Sequence, residues 1–385
     1  MEGMISTAMP YAYGVLFLMK EELMLRKEST KRLSKVSKTL RAGWSIPQAK
    51  ASAAAVDLVY TRTGIGAIGY IYSNNPESLP SAAGNACTIE KYLSTANANY
   101  DVEFYHSVPT GGASRKVGVA IQNLTGSGAT ITIYAESVAV TTSGQAAGPA
   151  AGVELAYQKQ LALGAASITT IDLPSNQSIM VIPSNVTNTI NGGQTIIGKI
   201  RLSSNVANVK LRVFYGTPAR ASTVFTYAYA QYLTFDNPPA WNAYNGKTTG
   251  YFPHDALATP VDFSQGQSSF VLPRWSLTNP PPASEYEAAQ SSSAPHDPHG
   301  PCGPQPVGKV VLGGNYGMVY QITIAHASGK KLHVSGAGSF VAQAPGGNWY
   351  SYTSFLQTFD IISDSWLFKF VQPGGNSSNF VFEIS

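Results

Sequence analysis

The chain has 385 residues, with 25 basic and 21 acidic side chains and six histidines. Charged residues make up 12%, about half the usual share of a soluble protein, and 44% are hydrophobic. That balance excludes a disordered polyampholyte and a membrane-buried chain, and Gly and Pro follow no Gly-X-Y period, which excludes collagen.

Residues 1–55 differ from everything that follows. Nine of the basic residues, Lys20 to Lys50, and four of the acids lie here. Lys20–Glu28 and Lys31–Lys38 read as short basic helical stretches. Gln48–Ala55 supplies small residues at the alternation a signal peptidase accepts. The segment is expected to be signal-like, or otherwise a disordered or helical basic leader. Its apolar stretch, Pro10–Met19, falls short of the ~18–20 residues of a spanning helix, so no transmembrane segment is expected. The body is left almost neutral, without a basic stripe for phosphate, so no nucleic-acid partner is expected.

From Val56 the periodicity is that of β-structure. Val102–Val108 alternates. Lys116–Asn123 and Ala129–Tyr134, joined by Leu-Thr-Gly-Ser-Gly, predict a hairpin. Further strands are expected at 167–173, 178–182, 195–202, 209–215 and 224–233, each bounded by Gly, Asn, Pro or Ser. Two helical turns are predicted at Thr88–Ala96. Leu155–Leu163 fits either a helix or a strand.

A second unit follows the Pro-Pro break near residue 238, with strand-like 259–263 and 269–272. Residues 279–307 form a Pro-rich insertion without apolar period. Met318–Ile324 and Lys330–Val334 predict a second hairpin, and 366–371 and 379–384 close the chain. The expected fold is all-β: two tandem antiparallel β-sandwiches, Ig-like or jelly-roll-like, at 56–236 and 243–385. The resemblance of Val117–Tyr134 to Val319–Val334 suggests an internal duplication.

Catalytic signatures are missing. There is no G-x-S-x-G elbow, Walker loop or H-E-x-x-H, and the G-x-G-x-x-G at Gly64–Gly69 has no helix pattern after it. No cofactor is expected. His296, His299 and Cys302 place three metal-ligand types within seven residues, the pattern a zinc or copper site needs, though no fourth ligand is visible. Cys87 and Cys302 are the candidates for a disulfide. Trp241, Tyr244, Tyr251, Trp349, Tyr350 and Tyr352 sit beside Asn and Gly, where aromatic rings stack on sugars or anchor partners.

The low charge and Thr-rich strands make the body similar in general character to secreted or wall-associated β-sandwich proteins of Gram-positive bacteria. That likeness is compositional and implies no functional residue. The expectation is a non-catalytic, secreted or cell-surface structural or adhesive protein. Its partners would be copies of itself or other surface proteins and glycans, because charged gatekeepers on strand edges are scarce. A carbohydrate-binding module using the aromatic loops is the alternative. A metal-dependent enzyme at the His/Cys cluster is a third reading.

Overall fold

The computed structural model describes residues 56–57, 61–63, 66–74, 77–79, 86–142, 144–181, 189–216, 249–252, 255–266, 268–272, 287–288, 309–310, 316–336, 338–353, 356–374 and 379–385. The described residues all belong to one compact unit. Among the described residues the fold is all-β apart from one α-helix and short 3-10 turns.

The first strands are β1 (Val56–Asp57), β2 (Thr61–Thr63), β3 (Gly69–Ser73), β4 (Ala86–Leu93), β5 (Tyr100–Ser107), β6 (Arg115–Gln122) and β7 (Ala129–Thr142). Helix α1 (Ala147–Leu163) follows, then β8 (Thr169–Leu173), β9 (Ser178–Val181), β10 (Thr189–Ile190), β11 (Gln194–Ser204) and β12 (Val209–Gly216). Two sheets result. One runs β4-β12-β6, with β9 and β10 both on the far side of β6; the other runs β13-β3-β5-β11-β7-β8, where β13 is Thr249–Phe252. Val102, Phe104, Ile121, Ile131, Ile200, Leu202 and Val213 point between them and form a closed apolar core.

The second half contains β14 (Ala256–Asp262), β15 (Ser269–Leu272), β16 (Glu287–Ala288), β17 (Lys309–Val310), β18 (Val319–Ala325), β19 (Lys331–Gly336) and β20 (Phe340–Gln343). It ends with β21 (Tyr350–Tyr352), β22 (Leu356–Asp360), β23 (Trp366–Val371) and β24 (Phe380–Ile384). Its sheets run β1-β15-β24-β19-β22 and β2-β14-β18-β23-β20-β21, while β16 and β17 pair with each other. Its core is aromatic. Phe370 lies 4.8 Å from Phe380, 5.2 Å from Phe340 and 5.4 Å from Phe382, centroid to centroid.

The halves repeat one topology. The orders β4-β12-β6-β9 and β5-β11-β7-β8 recur as β15-β24-β19-β22 and β18-β23-β20-β21. Most successive strands cross between the two sheets of each half, β7–β8, β9–β10 and β20–β21 excepted, which is the jelly-roll arrangement. Each half also carries a parallel addition, β3 beside β5 and β14 beside β18. The outermost strands are exchanged across the expected boundary: β2 precedes the first half yet pairs with β14, and β13 follows it yet pairs with β3.

The topology revises three local expectations. The two predicted hairpins are corners: β6 and β7 lie in different sheets, as do β18 and β19. The duplication is therefore offset by one strand from the likeness seen in sequence, since β6 matches β19. At the first corner the Asn123 amide donates to the carbonyls of Ser127 and Leu173 at 2.6 and 2.9 Å, and its oxygen accepts from the Thr125 N–H. That Asx turn redirects the chain instead of folding it back. The third revision is Thr88–Ala96, where β4 replaces the predicted helical turns; Thr88 and Ile89 are β-branched and buried against β12. Residues 155–163 are helical, and α1 begins earlier, through Ala-Gly-Pro-Ala-Ala-Gly. Pro149 is tolerated in the first turn, where no intrahelical N–H bond is needed.

Phe370 is fully buried at the centre of its aromatic cluster. Phe370→Ala is expected to cost about 3–5 kcal/mol, read as a lowered denaturant midpoint.

Candidate functional site

Side chains on β5 alternate between two environments. Tyr100, Val102 and Phe104 enter the first core, while Asp101, Glu103 and Tyr105 point to the opposite face. On β11, Ile196, Ile200 and Leu202 point inward, and Lys199 and Arg201 point out. The antiparallel register sets Lys199 opposite Glu103 and Arg201 opposite Asp101. On β3, paired with β5, Tyr70 and Tyr72 lie on the same outer face.

An outward face carrying four charges would ordinarily be solvated. Here α1 lies across it. Ala146, Ala150 and Val153 pack on Tyr105 and Ile197, and Ala151 packs on Val319, Val341 and Val371 of the second half. Gln160 fastens the helix by accepting from the Glu136 N–H and donating to the Glu136 carbonyl, both at 2.9 Å. Glu154, Tyr157 and Gln158, at i, i+3 and i+4, then face the charged strands.

The result is a sealed ionic cluster. Lys199 Nζ donates to Glu154 Oε1 and Oε2 at 3.1 and 2.9 Å and to the Gly317 carbonyl at 2.7 Å, with Glu103 Oε2 at 3.7 Å. Gln158 Nε2 donates to Glu154 Oε1 at 2.7 Å. The Tyr70 hydroxyl lies 2.9 Å from Glu103 Oε2 and 3.0 Å from the Tyr316 carbonyl. Arg201 grips Asp101 through two parallel bonds of 2.6 and 2.9 Å and reaches Asp255 at 2.7 Å. Asp255 also accepts from the Ala67 N–H. All six charged side chains are at most 6% exposed.

Two glycines make room for this packing. Gly66 has φ +136°, and a Cβ there would sit 2.7 Å from Arg201 Nη1. At Gly317, φ +68°, a Cβ would overlap Glu103 Oε2 and the Tyr70 hydroxyl.

Four carboxylates face two cations, so the cluster is short of positive charge. Burial is the largest influence on Glu103 and pushes it up to about 7; Lys199 pulls it down, and Glu154 pushes it further up. Burial would raise Asp101 as well, but the Arg201 guanidinium outweighs it and holds that carboxyl below its usual range. For Lys199 burial acts downward, and Glu154, Glu103 and Asp101 outweigh it. Burial also raises Tyr70 well above its ordinary value, so its hydroxyl is protonated and donates to Glu103.

A smaller polar chain lies inside the first core. Ser73 Oγ is 2.6 Å from Thr88 Oγ1 and 3.0 Å from His106 Nε2, and Thr88 donates to the Val213 carbonyl. The chain gives these buried polar groups partners.

The described aromatic candidates lie in different surroundings. Trp349 is 5% exposed and packs with Val319, Val341 and Val371. Tyr251, on β13, has Lys91 Nζ 3.9 Å above its ring. Tyr352 stacks on Phe340 at 5.0 Å, and Tyr350 is 53% exposed. Trp241, Tyr244, His296, His299 and Cys302 lie outside the described residues, as does the Cys87 side chain, although its backbone belongs to β4. Among the described residues no group of three or more His, Cys, Asp or Glu is arranged to hold a metal ion. None of their helices is long and apolar enough to cross a membrane.

No family model matches the chain, and no curated protein matches it. Among solved structures, the oxalate decarboxylase of Lactobacillus farciminis in its formate complex is 9% identical, over 85% of this chain and 83% of that one, with a TM-score of 0.14. A DUF861-family protein of unknown function from Pseudomonas syringae is 10% identical over 75% and 81%, with a TM-score of 0.12. The tandem CBM22 domain of Paenibacillus barcinonensis Xyn10C is 10% identical over 87% and 98%, with a TM-score of 0.12. Scores this low inform neither the fold nor the site.

Two outcomes are expected for the cluster. Arg201→Ala strands Asp101 and Asp255 in a dry interface and should cost about 3–5 kcal/mol in chemical denaturation. Glu103 has a folded value above its unfolded one, so the folded chain holds the extra proton. Its contribution to stability is complete below about pH 4 and is lost as pH rises through about 7. Between about pH 5 and 8, Glu103→Gln should flatten the fall in melting temperature that the parent chain shows.

Proposed function

We propose that the protein is a non-catalytic structural or adhesive protein of the cell exterior, built as a double jelly roll that associates with copies of itself. The observation that carries this reading is the state of the ionic cluster. Its carboxylates and cations are sealed from solvent and bonded to one another across the two halves. Groups placed this way hold surfaces together and present nothing to a substrate.

The strand edges favour self-association. Strand β8 is the edge of its sheet, and Thr169 and Thr170 are exposed. Leu163 and Ile168, immediately before it, are 65% and 41% exposed. In the other half, β22 is an edge strand and Leu356 is 51% exposed. Edges that carry one acid each, Asp172 on β8 and Asp360 on β22, and no basic residue, beside exposed apolar side chains, are templates for pairing with another chain. The few charges on the body supply little repulsion against it. The glycan-binding alternative keeps Tyr350 as its one well-exposed ring among the described candidates, and one ring makes a weak platform.

The test is light scattering of the purified full-length chain over a wide concentration range. Oligomers growing with concentration are expected, and Thr170→Lys, which puts a cation on the β8 edge, should cut the oligomeric fraction severalfold while leaving the circular dichroism spectrum unchanged. A sharp monomer at every concentration would refute the proposal.

A further inference from the structure

We propose that Lys199 and Glu154 condense within the folded chain to form a side-chain isopeptide bond, with Glu103 carrying the protons, so that α1 is tied covalently to β11. The inference stands on the geometry of the cluster and does not depend on the adhesive reading.

The groups that amide formation needs are gathered around Lys199 Nζ. The nucleophile, Lys199 Nζ, donates to both oxygens of Glu154 at 2.9 and 3.1 Å. The carboxyl carbon between those oxygens is therefore within about 3.5 Å, the separation of a near-attack pair. Gln158 Nε2 donates to Glu154 Oε1 at 2.7 Å, where negative charge would grow as the amine adds. The Gly317 carbonyl, 2.7 Å from Nζ, fixes the amine against rotation. Glu103 Oε2 stands 3.7 Å from Nζ, an ion-pair distance that must close by about 0.5 Å for a proton to pass between them. Tyr157 and Tyr70 flank Nζ with ring centroids at 4.8 and 5.7 Å.

Burial supplies the driving force. The Lys199, Glu154 and Glu103 side chains are 1%, 3% and 4% exposed. In open water an amine and a carboxylate stay apart, because hydrolysis is favoured by the solvent. In a dry site with the groups already touching, effective molarity replaces concentration and the water formed is lost to bulk.

The protons balance. With Glu103 protonated, the Lys199–Glu154–Glu103 trio is neutral, and its carboxyl, raised by burial to about 7, holds and releases a proton near neutrality. One proton first passes from Nζ to Glu154 along their hydrogen bond. The neutral amine then adds to the carboxyl carbon, forming the C–N bond. Glu103 gives its proton to the departing hydroxyl and takes one from nitrogen, and the C–O bond breaks. Ammonium and carboxylate become amide and one water; nothing is oxidised or reduced, and Glu103 ends as it began. The surrounding carboxylates keep Lys199 charged at rest despite its burial, so the reactive amine is the minor form and bonding is slow compared with folding.

The test is mass spectrometry of the purified full-length protein, aged for days, then denatured and digested with trypsin. The expected product joins the peptide holding Glu154 (residues 117–159) to the one holding Lys199, is lighter than their sum by one water, and is not cleaved after Lys199. Lys199→Arg should give none of it. Glu103→Gln should fold, as judged by circular dichroism, and form it on the order of a hundredfold more slowly. Complete cleavage after Lys199, with an intact mass equal to that of the uncondensed chain, would overturn the bond. Equal formation in Glu103→Gln would overturn the role of Glu103.

Discussion

Two cations removed from water, Lys199 and Arg201, govern how the halves of this molecule meet. A buried ion costs several kcal/mol unless its partners are in place, and here the partners come from four separate stretches of chain. Asp101 and Glu103 come from β5, Glu154 from α1, Asp255 from the approach to β14, and the Gly317 carbonyl from the approach to β18. Each must arrive for the others to be tolerable. Such a cluster adds little net stability over a well-packed apolar patch, but it penalises wrong arrangements heavily.

Register is one thing it specifies. Because Lys199 faces Glu103 and Arg201 faces Asp101 directly, a one-residue slip of β11 against β5 would carry the charges into the apolar core. The same slip would turn Ile200 and Leu202 outward. The surplus of carboxylates is settled locally. Glu103 yields, by holding its proton more tightly, while Asp101 stays ionised beneath the Arg201 fork.

The sequence showed the strands more clearly than their partners. Alternation along Val102–Val108 and around Ile200 marks β5 and β11, and Val, Ile and Thr bounded by turn residues identify an all-β body. The corners were misread because a Gly-containing turn between alternating runs looks the same whether the chain returns to its own sheet or crosses to the facing one. Asn123 makes the difference through bonds to Leu173, fifty residues away. Helix α1 was half hidden by its Ala-Gly-Pro opening, which reads as a loop. The ionic cluster had a readable trace: acids spaced by two on one strand and bases spaced by two on another, with apolar residues between. Taken alone, that pattern describes a solvated sheet face. Only the helix laid across it, and the second half behind, turn it into an interior.

The traded outer strands bear on how the chain is made. Residues 61–63 leave the ribosome early but find their place beside β14, and the first barrel lacks its last strand until residue 252 has emerged. The N-terminal lobe therefore cannot be completed before the second begins to emerge, and it waits with β3 paired to β5 on one side and open on the other. Cutting the gene between the lobes would leave each fragment with a gap only the other can fill, so complementation of co-expressed pieces is the natural outcome of this topology.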